Sequence, residues 1–383
     1  MDSDALRHNI RQVKGLLDPS CRLLAVVKAD AYGFGAVEAA RVAVEAGAAM
    51  LGVTLVEEAL ELRAHGISTP ILVFAPPLPQ EVGAVVAAEL TPTVTDPATA
   101  RALAREVRNL GKRIRVHVKV DSGLGRLGVR PENLRPLLRE LALLPELEVE
   151  GLYSHLDPHP RRAREQVRAF VRAREVAVEE GWQIPLYHLC SSSGVLRYPH
   201  LHLDMVRVGT LLYGQWPAGV PRRLDLRDPW QLRARLLQVK EVPPGSRVGY
   251  GRGGVLRRRA RLGVVALGWA DGLGMMPERA PENWWELAVQ VGRLLLARGG
   301  GYRGNVGAEL DGRPLRLVGR PSMQLSVFDL TAAEGALAGQ EVRISGLRRT
   351  AAAWRLPRLY LCGGRAYRLR TATGWVEIGE EER

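Results

Sequence analysis

The sequence has 383 residues, 46% hydrophobic and 25% charged, with a net charge of +13 and a pI near 10.2. A chain this long exceeds one ordinary core and suits two domains, one of which could be a barrel of about 200 residues or more. No apolar run reaches the roughly 18 residues that cross a bilayer, and Met1 to His8 lack the basic-then-apolar order of a secretion signal, so a cytoplasmic protein with no membrane partner is expected.

From the amino terminus, short apolar or β-branched runs alternate with helical patterns. The runs are Leu23 to Lys28, Met50 to Leu55, Ile71 to Ala75, Thr91 to Val94, Arg115 to Val120, Leu147 to His155, Leu186 to Leu189 and Met205 to Arg207. Between them the apolar spacing changes to the helical period, as in Val37, Ala40 and Val44, or in Glu57 to His65 stopped by Gly66 and Pro70. Eight strand-helix units predict an α/β fold, a closed (β/α)8 barrel of TIM type, with an open doubly wound sheet as the alternative.

Trp216 to Pro221, rich in Pro and Gly, and Asp228-Pro229 read as an interdomain connection. The expected domains are therefore 1–228, the barrel, and 229–383, mainly antiparallel β. In the second, Leu232 to Val242, Arg261 to Trp269, Leu315 to Gly319, Leu325 to Leu330 and Glu341 to Ser345 read as strands, and Trp284 to Ala297 as a helix. The positive charge raises nucleic acid as a partner. Its arginines are strewn along the whole chain, however, and the densest run, Arg257-Arg258-Arg259-Ala260-Arg261, reads as a solvated turn, so no nucleic-acid partner is expected. Cys21, Cys190 and Cys362 lie too far apart for a Cys-x-x-Cys metal site and read as small buried residues.

Chemistry-bearing residues fall at the strand ends. Lys28 ends the first run, Lys119 and Asp121 the fifth, His155 the sixth, His188 and Ser191-Ser192-Ser193 the seventh, and Arg207 the eighth. Taken singly, a strand-end Lys or His is ordinarily a solvated or structural group. In a closed parallel barrel, however, all these ends meet at one rim, where barrel enzymes place their chemistry. Only five of the 54 basic residues are lysines, so a lysine there is less readily filler. The set lacks the carboxylates or multiple His that a metal needs, and no metal is expected. It suits an anionic cofactor with an aldehyde: lysine forms Schiff bases, Ser192 and the amides near Gly209 and Thr210 could hold a phosphate, and an arginine could face a ring nitrogen or a carboxylate.

Ala25-Val26-Val27-Lys28-Ala29-Asp30-Ala31-Tyr32-Gly33-Phe34-Gly35 and Lys119-Val120-Asp121-Ser122-Gly123-Leu124-Gly125-Arg126-Leu127-Gly128 resemble two motifs of the alanine racemase family. His188 to Gly194, Met205 to Thr210, Gly249-Tyr250-Gly251, Gly268 to Gly272 and Val318 to Met323 come in the family's order, so the resemblance covers nearly the whole chain. It implies a pyridoxal 5'-phosphate enzyme that interconverts L- and D-alanine, supplying D-alanine for the cell wall. Lys28 would carry the cofactor and act as one acid/base, and Tyr250, contributed by the other subunit of a homodimer, as the opposite-face base. Arg207 would face the pyridine nitrogen, and His155 would tie Tyr250 to Arg207. Arg126, oriented by Lys119, a candidate for carbamylation, would help hold the substrate carboxylate with the Met323 backbone. Tyr32, Ser192, Gly209, Thr210 and Trp354 would bind the phosphate, and Trp269 would line the entrance.

The sequence departs from the family pattern at several positions. The chain begins almost at the first helix, where the family usually has a preceding strand, so either the start lies upstream or the second domain does without that strand. Phe34 replaces a usual His, and Gln324 a usual Asp. Trp269 and Trp354 stand where tyrosines usually lie, and the bulkier indoles leave open a different small amino acid such as serine. A non-catalytic cofactor carrier would lack the second domain, and a decarboxylase on this architecture usually puts an acid where Arg207 stands.

Overall fold

The computed structural model describes residues 1–249, 255–275, 281, 283–298, 306–346 and 356–378, apart from the side chains of 293–298. The chain divides into two compact units: residues 2–229 with 360–365, and residue 1 with 230–359 and 366–383. Among the described residues no helix is long and apolar enough to cross a membrane.

The first unit contains eight parallel strands, β1 (Arg22–Val26), β2 (Met50–Val53), β3 (Ile71–Val73), β4 (Thr91–Val94), β5 (Ile114–Lys119), β6 (Leu147–Tyr153), β7 (Leu186–His188) and β8 (Met205–Val208). Their order is 7-6-5-4-3-2-1-8. β7 meets β8 through main-chain bonds from Asp204 N to Tyr187 O (3.1 Å) and Arg207 N to Cys190 O (3.0 Å), which closes the ring. Strands such as β2 and β3 are buried at every residue, as they must be when helices cover the outside and side chains fill the inside.

The intervening helices carry a single apolar face. Pro97–Asn109 buries Ala100, Leu103, Ala104 and Val107 at helical spacing. It starts where the Asp96 side chain accepts from Thr99 N and Pro97 supplies a fitting φ without needing a donor.

The strands stand where the apolar runs predict, but β6 stops at Tyr153 and leaves His155 beyond its end, and a second difference has more consequence. β1 stops at Val26, so Lys28 does not end a strand. The chain instead turns left-handed, with φ of 51 to 57° from Ala29 to Tyr32, none of them glycine. Each such residue is disfavoured by roughly 1–2 kcal/mol, so tertiary bonds must hold the turn. Ala31 N donates to Val27 O (2.8 Å), and Asp30 Oδ1 accepts from Ala36 N (2.7 Å).

Late residues complete this unit. Asp2 bridges to Leu361, and the buried Tyr360 donates its hydroxyl to Phe34 O (2.9 Å), with ring centroids 5.7 Å apart. Phe34 thus stands in an apolar core that would leave a histidine to be desolvated.

The second unit is a closed antiparallel barrel of β9 (Leu232–Val242), β10 (Ala260–Val265), β11 (Gly307–Leu310), β12 (Arg313–Val318), β13 (Ser326–Asp329) and β14 (Glu341–Ser345), ordered 10-13-12-11-14-9. β14 alternates exposed and buried residues strictly, with Val342 and Ile344 inward. The inner faces enclose Phe328, Leu236, Leu315 and Leu317. The expected helix runs Trp284–Arg298 and exposes both Trp284 and Trp285. Arg358–Cys362, Arg365–Thr371 and Gly374–Glu377 form a further three-stranded sheet.

Candidate active site

The carboxyl ends of the first unit's strands surround a cavity of about 430 Å³. Four cations line it: Lys28 beyond β1, Lys119 at the end of β5, Arg126 on the loop after it and Arg207 in β8. No carboxylate is among the described lining residues, which together suit an anion. Two of the five lysines are spent here, while Lys14 and Lys112 serve a surface carbonyl, Gly47 O, and a surface carboxylate, Glu89.

Arg207 anchors the floor. Its Nη2 donates to Ser154 O (2.6 Å) and Leu189 O (3.1 Å) and lies 3.4 Å from His155 Nδ1, while Nη1 donates to His188 Nδ1 (2.9 Å). With His188 Nδ1 accepting, only one set of tautomers completes the row of bonds: His188 Nε2 donates to His117 Nδ1 (2.9 Å), and His117 Nε2 to Glu150 Oε2 (3.2 Å). Burial holds both histidines below their usual pKa, and the Arg207 charge adds to this, so both are neutral at pH 7. Tyr153 stacks on His188 at 4.7 Å and places its ring face 4.5 Å from Lys119 Nζ and 5.1 Å from the Arg207 guanidinium.

The site lowers the pKa of its basic groups. Burial, with the charges of Arg207 and Arg126, lowers Lys119 to about 7. Burial lowers Arg207 to about 10, which leaves it cationic at neutral pH. His155 falls to about 2 through burial and the surrounding cations and stays neutral. Lys28 is lowered by burial and then by Arg126, with Glu58 opposing.

At the other end of the cavity Gly209 N donates to Ser192 Oγ (3.1 Å). A Cβ at Gly209 would stand 2.3 Å from the Tyr32 hydroxyl, so only glycine admits this approach. Burial raises the Tyr32 phenol to about 12, keeping it a donor. Thr210 lines the same end. Hydroxyl and amide donors at one end and a guanidinium at the floor fit a cofactor with a phosphate and a ring nitrogen, and Lys28 between them fits its aldehyde.

Arg126 is carried on a tightly braced loop. Asp121 Oδ1 accepts from Gly123, Leu124 and Gly125 N at 2.9 to 3.1 Å, and Val129 N donates to Lys119 O (2.8 Å). A Cβ at Gly128, where φ is 130°, would collide with Asp121 N at 2.5 Å.

Nine of the sequence-predicted residues therefore converge: Lys28, Lys119, Arg126, Arg207, His155, Tyr32, Ser192, Gly209 and Thr210 all line the cavity. Trp269 and Met323 lie in the second unit, both half exposed, on segments joined by Ala270 N donating to Met323 O (3.0 Å). Tyr250 and Trp354 lie outside the described residues. Sequence reasoning missed Tyr153, His117 and Glu150. The spacing His117-x-Lys119 was the available signal, since alternate residues of a strand share a face.

Comparison with known proteins identifies a family. The family model "Alanine racemase, N-terminal domain" matches residues 1–217, and "Alanine racemase, C-terminal domain" matches 230–357. An alanine racemase of Desulfovibrio desulfuricans is 38% identical over 77% of this chain and 82% of its own length. Alanine racemase 1 of Caldanaerobacter subterraneus subsp. tengcongensis is 34% identical over 90% and 84%. The solved alanine racemase of Clostridium difficile 630 superposes with a TM-score of 0.85 at 26% identity, covering 97% of each chain.

Proposed function

The chain belongs to the alanine racemase family, and from that premise we infer that it interconverts L-alanine and D-alanine with pyridoxal 5'-phosphate bound at Lys28. The observation that carries the reading is the carboxylate-free cavity lined by Lys28, Lys119, Arg126 and Arg207 at the strand ends of the parallel barrel. When bound, the cofactor supplies an electron sink that makes the α-proton of an amino acid removable.

Everything else falls to the chain. Tyr32, Ser192, Gly209 N and Thr210 hold the phosphate end, supported by their convergence with Lys28 in one cavity. Arg207 donates toward the ring nitrogen. Four polar groups fix its guanidinium, and as a cation it donates without yielding its proton. Arg207 would thus hold the ring nitrogen without giving it a full proton, a role that favours return of the proton to the α-carbon over transfer elsewhere. Arg126, with the Met323 backbone, binds the substrate carboxylate.

Racemisation needs a base on each face of the α-carbon. Lys28 serves one, helped by a microenvironment that lowers its pKa. Tyr250 of the second subunit serves the other, with His155 linking it to Arg207. The functional protein is accordingly a homodimer, cytoplasmic, that supplies D-alanine for the cell wall. Its domains are 1–228, which holds the cofactor, and 229–383, which supplies Tyr250 along with Trp269 at the entrance and Trp354 toward the phosphate. Lys119 is suited to carbamylation, because only an unprotonated amine attacks carbon dioxide and its pKa near 7 provides one. The named relatives favour alanine over serine as substrate.

Alanine in deuterium oxide tests the reading. Wild-type enzyme is expected to wash deuterium into the α-position and equalise the enantiomers. Lys28→Ala loses both the exchange and the visible absorbance, whereas Tyr250→Phe keeps the absorbance and loses racemisation. Carbon dioxide or aldehyde released by wild type would overturn it.

A further inference from the structure

Glu58 lies outside the cavity and is the third residue of the helix Val56–Ala64. An acid at this position ordinarily caps its own helix, and one oxygen suffices: Glu58 Oε2 accepts from Thr54 N (2.7 Å) and Leu55 N (3.0 Å). Capping does not account for the other oxygen. Oε1 crosses to a segment 29 residues away and accepts from Ala29 N at 2.6 Å.

The N–H of Ala29 belongs to the peptide unit that joins Lys28 to the left-handed turn. Four consecutive non-glycine residues there hold positive φ, a conformation the chain leaves unless it is tied. The ties from Asp30 and Val27 act on Ala31, Gly33, Gly35 and Ala36, all beyond the first peptide of the turn. The first peptide, which directly follows Lys28, is tied by its bond to Glu58. Loss of that tie would free the main chain directly after Lys28, and with it the position from which the Lys28 side chain enters the cavity.

We propose that Glu58 is a positioning residue for Lys28, its Oε1 clamping the Lys28–Ala29 peptide while Oε2 caps the neighbouring helix. This rests on the assignment of Lys28 as the cofactor lysine. The same carboxylate offers the nearby Lys28 a negative charge that partly offsets Arg126.

The experiment compares holoenzymes of wild type, Glu58→Gln, Glu58→Asp and the control Glu57→Gln, which removes the adjacent exposed acid of the same helical turn. Glutamine has one acceptor oxygen for donors on two sides, and aspartate is one methylene too short to span both. Both Glu58 variants are expected to speed hydrogen exchange at Ala29 about tenfold, as for loss of one charge-assisted hydrogen bond, with the amides of Val56–Ala64 still protected. Their kcat should fall by a similar factor with KM for alanine little changed, while Glu57→Gln behaves as wild type. Glu58 variants that match Glu57→Gln in Ala29 exchange and in kcat would overturn the clamp. Borohydride reduction of the wild-type holoenzyme, then peptide mass spectrometry, keeps the premise separate: absence of pyridoxyl label on Lys28 sinks the cofactor assignment, whatever the variants do.

Discussion

Among the described residues the first unit buries His117 and His188 beneath one cavity that Lys119 and Arg207 line, whereas the second closes on Phe328, Leu236 and Val342 and buries only Asp271, Ser326 and Arg358 as polar side chains. Two of those three brace turns and strands: Ser326 Oγ donates to Leu267 O (2.6 Å), and Asp271 Oδ2 accepts from Gly268 N (2.9 Å). The parallel barrel adds buried ionisable groups displaced from their ordinary pKa, Lys119 to about 7 and Arg207 to about 10. Buried charge is costly unless paired, and a fold that needed only stability would avoid burying Lys119 and Arg207 beside Lys28 and Arg126. The difference locates function: one barrel bears an electrostatic strain that an anion relieves, and the other is held by apolar packing.

The largest expected effect comes from removing the central cation. Arg207→Leu strands Ser154 O, Leu189 O and His188 Nδ1, at roughly 1–3 kcal/mol for each buried acceptor left unpaired. It should also lower kcat about 100-fold or more, as loss of one preorganised donor does elsewhere. Phe328→Ala, in the apolar barrel, should cost about 3–5 kcal/mol in urea unfolding. Its kcat, normalised to folded protein, should fall far less than that of Arg207→Leu. Comparable kcat losses in the two variants would break the distinction between a chemical and a structural barrel.

Much of this division was legible in the sequence. Runs such as Ile71 to Ala75 are apolar on both faces, which a parallel strand buried on both sides requires, and scarce lysine made Lys28 and Lys119 conspicuous. The turn after Lys28 was not legible. Ala29-Asp30-Ala31-Tyr32 carries no glycine, and its left-handed conformation is held by bonds to Val27 and Asp30 and, at its first peptide, by a carboxylate 29 residues away. Tyr153 escaped because an aromatic at a strand end reads as core, and only its stacking on His188 and its nearness to Lys119 and Arg207 reveal its place under the site. In the second barrel β11 spans four residues with Glu309 among them, too short and polar to stand out, and its pairing with β12 and β14 makes it a strand.

The smallest expected effect is a pH dependence confined to one unit. All eight histidines precede residue 203, so the antiparallel barrel contains none. His117 and His188 have folded pKa values held below the ordinary 6.5, chiefly by burial. Below pH 6.5 the unfolded chain takes up protons that the folded barrel refuses, so stability is fully present above 6.5 and declines as the pH falls toward the lowered folded values. The slope is at most about 1.4 kcal/mol per pH unit for each histidine. Glu150, paired with His117, favours that ring's protonated form and moderates its share. Hydrogen-exchange protection, corrected for intrinsic rates and compared at pH 6.5 and 5.5, should fall in β5 and β7 and hold steady in β12 and β13. An equal fall in both barrels would mean that the acid sensitivity lies elsewhere, and that the buried histidines are not what distinguishes the two.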